Sequence, residues 1–125
     1  MNVTLWIVAG ALAALFLASG LTKLAKPKEK VVAATPAVEN FSQGAINAIG
    51  VLEILAAIGL ILPAVVDIAP IFVPLAAVGL ALLMAGAMIV HARRREAQGV
   101  AVTLVLLALA ALVAWGRFGP ESFTV

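Results

Sequence analysis

Residues 71–95 read IFVPLAAVGLALLMAGAMIVHARRR. From Ile71 to Val90 there is no charge, and then His91 and three arginines follow almost at once. An α-helix rises about 1.5 Å per residue, so about 20 such residues cross the roughly 30 Å hydrocarbon core of a bilayer. The stretch therefore predicts a transmembrane helix over 71–90 that ends abruptly at a polar border. Pro74 falls in its first turn, where the missing N–H costs nothing.

Working outward, three further runs satisfy the same criterion. Residues 100–115 form the next span, ended by Gly116, Arg117, Gly119 and Pro120. On the N-terminal side, residues 45–62 make a span stopped by Pro63, and the short segment 64–70, with Asp67 its one charge, reads as a tight connection. Residues 3–21 make the first span; they lack the basic n-region of a secretory signal and are read as membrane-resident. Composition agrees: 65% of the 125 residues are hydrophobic and 11% charged, against about 25% charged in soluble domains. A core of this size cannot hide that much apolar surface, so lipid must cover the rest. The expected fold class is all-α, a four-helix transmembrane bundle forming a single membrane domain over 1–125.

The polar residues set the orientation. Lys23, Lys26, Lys28 and Lys30 fall in the first loop, 22–43, and Arg93, Arg94 and Arg95 in the third, 91–98, whereas the remaining ends carry only Arg117. The positive-inside rule puts both basic loops in the cytoplasm and both termini outside, as in a multi-pass protein of a bacterial-type plasma (inner) membrane. Within the first loop, a short interfacial helix is expected around 38–41, opened by Pro36 with Glu39 in its first turn. Trp6 and Trp115 fall on the outer side and suit an interfacial aromatic belt. Small-residue pairs, Gly10 with Ala14 and Ala18, Gly44 with Ala48 and Gly79 with Gly86, are expected to let helices approach closely.

The same composition excludes several functions. A net charge of +2, with the cations gathered at helix borders, gives no nucleic-acid surface. The absence of cysteine excludes disulfides, thiol redox centres and thiolate-held iron–sulfur clusters. With one histidine and no tyrosine, no metal site is expected, and a bis-histidine haem would need a ligand from another chain.

Glu53 is the most informative residue. It falls about 15 Å into its span, counted from Gln43 at roughly 1.5 Å per residue. An ionisable group at that depth costs several kcal/mol, so it should face the bundle interior and have a partner or a proton. Two readings stay open: a proton-accepting or ligand-binding carboxyl, and a structural one that locks helix packing. His91 closes the stripe Met84, Ala87, Met88, His91; it is either an interfacial histidine or a titratable partner for Glu53 or for a polar head group. Lys23, with Ser19 and Gly20 on its face, either snorkels outward or turns into the bundle. Arg93, Arg94 and Arg95 are expected to anchor anionic lipid or an acidic partner.

These landmarks resemble the DoxX-like membrane protein family. The matching stretches are FLASGLTKL at 16–24, VENF at 38–41, GVLE at 50–53, GLILP at 59–63, AMIVHAR at 87–93 and WGRF at 115–118. The resemblance implies a four-helix membrane bundle tied to respiratory or redox systems, since relatives serve as small subunits of a thiosulfate:quinone oxidoreductase and as membrane partners of thiol-oxidant defence enzymes. It carries Lys23, Glu53 and His91 over as site candidates. The function it implies is an accessory or partner-anchoring subunit of a membrane redox complex, contacting quinone or lipid, with no intrinsic cofactor and no catalytic activity of its own. Expected partners are membrane lipid and other membrane or membrane-associated subunits, or further copies of the chain. Two alternatives remain: a small proton-linked transporter that titrates Glu53, and a purely structural subunit of a larger assembly.

Overall fold

A computed structural model describes residues 1–122. Its long helices are α1 (Asn2–Ala25), α3 (Gln43–Val65), α4 (Phe72–Arg93) and α5 (Ala97–Phe118), with a short α2 (Lys28–Ala34) and a 3-10 turn at Pro36–Val38 in the first loop. No strand occurs among the described residues. All four long helices are long and apolar enough to cross a membrane. They run two to four residues past the expected spans at most ends.

Two local expectations are corrected. Pro63 does not stop its helix, which continues to Val65. A proline removes one ladder hydrogen bond and leaves the adjacent turns intact, and the Val66 N–H closes the helix on the Leu62 carbonyl at 3.0 Å. In the first loop the α-helix is Lys28–Ala34, opened by Pro27 at its N-cap with Glu29 in the first turn. Pro36 opens only a single 3-10 turn, and Glu39 caps its end instead of standing in its first turn.

The core is a column of small and branched side chains, among them Leu12, Ala57, Leu60, Ala77, Leu80 and Val113. Outward faces carry exposed leucines and valines such as Leu55, Leu82 and Val105, as lipid contact demands. In lipid, the fit of the backbones decides association, and here the pairs expected from sequence are not the ones used. A Cβ on Gly10, Gly79 or Gly86 would meet nothing within 4 Å, and one on Gly44 only its own cap Ser42 at 3.9 Å. The close approach is Gly20 against Gly50, where a Cβ on Gly20 would stand 2.6 Å from the Gly50 carbonyl oxygen. Gly59 meets Ala76 in the same way, a Cβ there lying 2.8 Å from the Ala76 Cβ.

These contacts fix the shape. α1 pairs with α3, and α4 with α5, along much of their lengths, whereas α1 and α5 touch thinly. Where α1 meets α5 at the end bearing the chain termini, Gly116 receives the Leu5 side chain. Towards the end bearing the basic loops a cavity lies between the two pairs, lined on one side by the first loop.

Candidate functional site

The Gly20–Gly50 crossing builds the site. The chain runs along α1 towards the basic loops and along α3 away from them, so Lys23 and Glu53, each three residues past its glycine, lie on opposite sides of the crossing, about 4.5 Å above and below it along the helices. The long lysine chain covers that separation by folding inward. Its Nζ lies 2.8 Å from Glu53 Oε1 and donates to Ser19 Oγ at 2.7 Å. Ser19 Oγ in turn donates to Glu53 Oε2 at 3.0 Å. The contact of Lys23 with Oε1 is ionic, without hydrogen-bond alignment.

Both charged residues are buried, Lys23 at 8% exposure and Glu53 at 3%. Burying an ion costs several kcal/mol unless a partner and further hydrogen bonds compensate. Ser19 and the opposite charge supply that compensation. Of the two orientations open to Lys23, the structure takes the inward one.

The Lys23–Ser19–Glu53 cluster faces a cavity of ≈ 630 Å³ between the two helix pairs. Phe16, Met84, Ala87 and Leu106 give it apolar walls, and Thr35, Val38 and Phe41 of the first loop form its roof. Val38 is fixed from behind by a small buried cluster with Val31 and Ile46. Beyond Glu53, towards the chain termini, the apolar core is closed by Ala57, Leu60, Ala77, Ala110 and Val113.

His91 lies on another wall of the same cavity but pairs with Glu96, not Glu53: Nδ1 stands 2.8 Å from Glu96 Oε1. Backbone geometry places that carboxylate. α4 ends with Arg95 in the left-handed region at φ 58, and the Glu96 N–H returns to the His91 carbonyl at 3.0 Å, a Schellman-type closure. Gly99, at the start of α5, lies over the ring at Nδ1, where a side chain would collide. The hydrogen bond from His91, with help from Arg94, holds the Glu96 carboxyl below its ordinary value of 4.5.

The three arginines separate. Arg94 donates to Glu39 at 2.7 Å, clasping the roof to the α4–α5 turn, and its Nε lies 3.3 Å from Glu96 Oε2. The bond to Glu39 raises the Arg94 pKa further. Arg93 and Arg95 are exposed. Sequence reasoning found Lys23, Glu53 and His91, and the structure brings all three to one cavity. It missed Glu96 and Glu39 as partners. Glu96, five residues after His91 across a helix end, was a legible signal; the 55-residue separation of Arg94 from Glu39 was not.

At the other end of the bundle Arg117 is 3% exposed, in the last turn of α5. It donates to Asn2 Oδ1 at 2.7 Å and to the Glu121 carbonyl at 2.9 Å. Its guanidinium also lies 5.7 Å from the Trp6 ring centroid. It fastens the two terminal segments together, while Trp115 points outward at 55% exposure. Among the described residues no group of three or more metal-binding side chains occurs.

The sequence matches the family model of the DoxX-like family over residues 7–113. No curated protein and no solved structure matches.

Proposed function

The chain belongs to the DoxX-like family of membrane proteins, and we propose that it holds a small amphipathic ligand, of the quinone or lipid type, as an accessory subunit of a membrane redox complex. The observation that carries this reading is a buried ion pair facing a mostly apolar cavity of ≈ 630 Å³. Sites for small molecules have this character, with apolar walls and a few fixed polar groups in a volume of about 300–1,000 Å³. Lys23 has three N–H donors; one goes to Ser19 Oγ, and Glu53 Oε1 stands 2.8 Å away as the counter-ion. A further N–H of Lys23 is available to a ligand's polar head.

The basic end supports anchoring to a cytoplasmic leaflet or an acidic partner through Lys26, Lys30, Arg93 and Arg95, all exposed. Holding is favoured over proton-linked transport because the packed core beyond Glu53 closes the polar path. A purely structural role accounts for the ion pair but leaves the cavity without a purpose.

The test is mild extraction from native membranes, with mass spectrometry of what is retained. The wild-type chain should carry a stoichiometric quinone or a selected lipid together with a redox partner. Ala87→Phe fills the cavity without touching the ion pair and should lose the ligand. Recovery of the chain alone, with lipids in bulk proportion in both proteins, refutes the proposal.

A further inference from the structure

His91 is not used by the ligand reading above, yet it occupies the same cavity from the α4–α5 side. We propose that His91 is the specificity-determining residue of the cavity, and that it selects a ligand bearing a hydroxyl group over the same molecule bearing a carbonyl. The proposal rests on the cavity being a ligand site.

The chemistry follows from how the ring is held. Glu96 is a carboxylate at neutral pH, and an ionised carboxylate only accepts hydrogen bonds. Its contact with Nδ1 at 2.8 Å therefore requires the proton on Nδ1. In the neutral imidazole the other nitrogen, Nε2, is then a bare acceptor. Glu96 and Gly99 both lie against the ring at Nδ1, and His91 lines the cavity, so the Nε2 side of the ring is the one left to it. An acceptor facing an apolar space is matched by an O–H donor and repels a carbonyl oxygen. Leaving such a group unmatched in a desolvated site is more costly than losing the bond itself.

Glu96 acts as the positioning residue and does not touch the ligand. Its second oxygen lies 3.3 Å from Arg94 Nε, so the carboxylate cannot swing away from His91 without also loosening the arginine that clasps the roof. The titratable groups facing His91 are Glu96 and, through it, Arg94 with Glu39 on the roof, and Lys23 of α1 and Glu53 of α3 on the walls of the shared cavity.

The test measures binding of tetralol and tetralone, one bicyclic skeleton with a hydroxyl or a ketone, to the full chain in lipid nanodiscs by calorimetry. Wild type at pH 8 should prefer tetralol by about five- to tenfold, the value of one hydrogen bond made against one left unmade. His91→Phe should bring the two ligands to equal affinity. Glu96→Gln keeps the ring in the wall but releases its tautomer, and should shrink the preference even if the phenylalanine variant folds poorly. Equal affinities in wild type, or an unchanged preference in both variants, overturn the proposal while leaving the ligand site standing. Failure of both compounds to bind wild type rejects the ligand site and this inference together.

Discussion

Consider removing the Lys23–Glu53 pair one partner at a time and then both at once. Glu53→Leu leaves the Lys23 ammonium buried with only Ser19 for company, since Nζ loses the oxygen 2.8 Å away. Breaking a buried pair from one side costs about 3–5 kcal/mol. Lys23→Met strands the carboxylate instead, but Ser19 still donates to Oε2, so this variant should lie towards the lower end. The double variant Lys23→Met/Glu53→Leu puts apolar groups of similar volume in the same space, and such replacements are often neutral or stabilising. It should therefore lie within about 1 kcal/mol of wild type, which gives a coupling of several kcal/mol between sites that would otherwise add. Reversible unfolding in mixed micelles of rising anionic-detergent fraction, followed by circular dichroism, measures all four proteins. Additive losses, or single variants each costing less than about 1 kcal/mol, would show that the pair is not closed in the folded bundle. The argument for a fixed polar head in the cavity would then fail. The double variant also separates stability from function: it should fold well and lose the bound ligand.

The glycines give a paired comparison in the same assay. Gly20→Ala forces the α1–α3 crossing apart, since its Cβ would stand 2.6 Å from both the Gly50 oxygen and Ile54 Cγ1, and should cost about 1–3 kcal/mol. Gly10→Ala, with nothing within 4 Å, should be neutral or gain up to about 1 kcal/mol from helix propensity. Arg94→Ala opens the roof clasp. The pair with Glu39 is exposed and contributes little to global stability, so the expected change is faster hydrogen exchange over residues 28–41 with an unaltered unfolding midpoint. Because the Glu96 carboxyl is held below 4.5, its bonds to His91 and Arg94 are intact above that value and are lost as pH falls through the lower, folded one. Exchange at the α4–α5 turn should therefore accelerate only in strong acid, and a rise near neutral pH would refute the assignment.

The sequence alone determined that the chain spans a bilayer four times and which ionisable residue must be hidden. Both follow from solvent: apolar runs of bilayer length have no stable place in water, and a carboxyl at Glu53 has none in hydrocarbon, whatever the packing. The identities of Lys23 and His91 as candidates were legible too, since each is a polar residue closing a span within a stretch that resembles the family, but which way each turns was not. What only the tertiary structure decided is who pairs with whom. The small-residue spacings offered several equivalent helix contacts, and local sequence cannot rank them, because close approach depends on two surfaces meeting in register. Gly20 met Gly50 and turned Lys23 inward to Glu53, while Gly10, Gly79 and Gly86 met nothing. The helix-end turn at Arg95 gave His91 to Glu96, and a contact across 55 residues gave Arg94 to the roof. Composition places charges at a depth; the bundle gives each its partner.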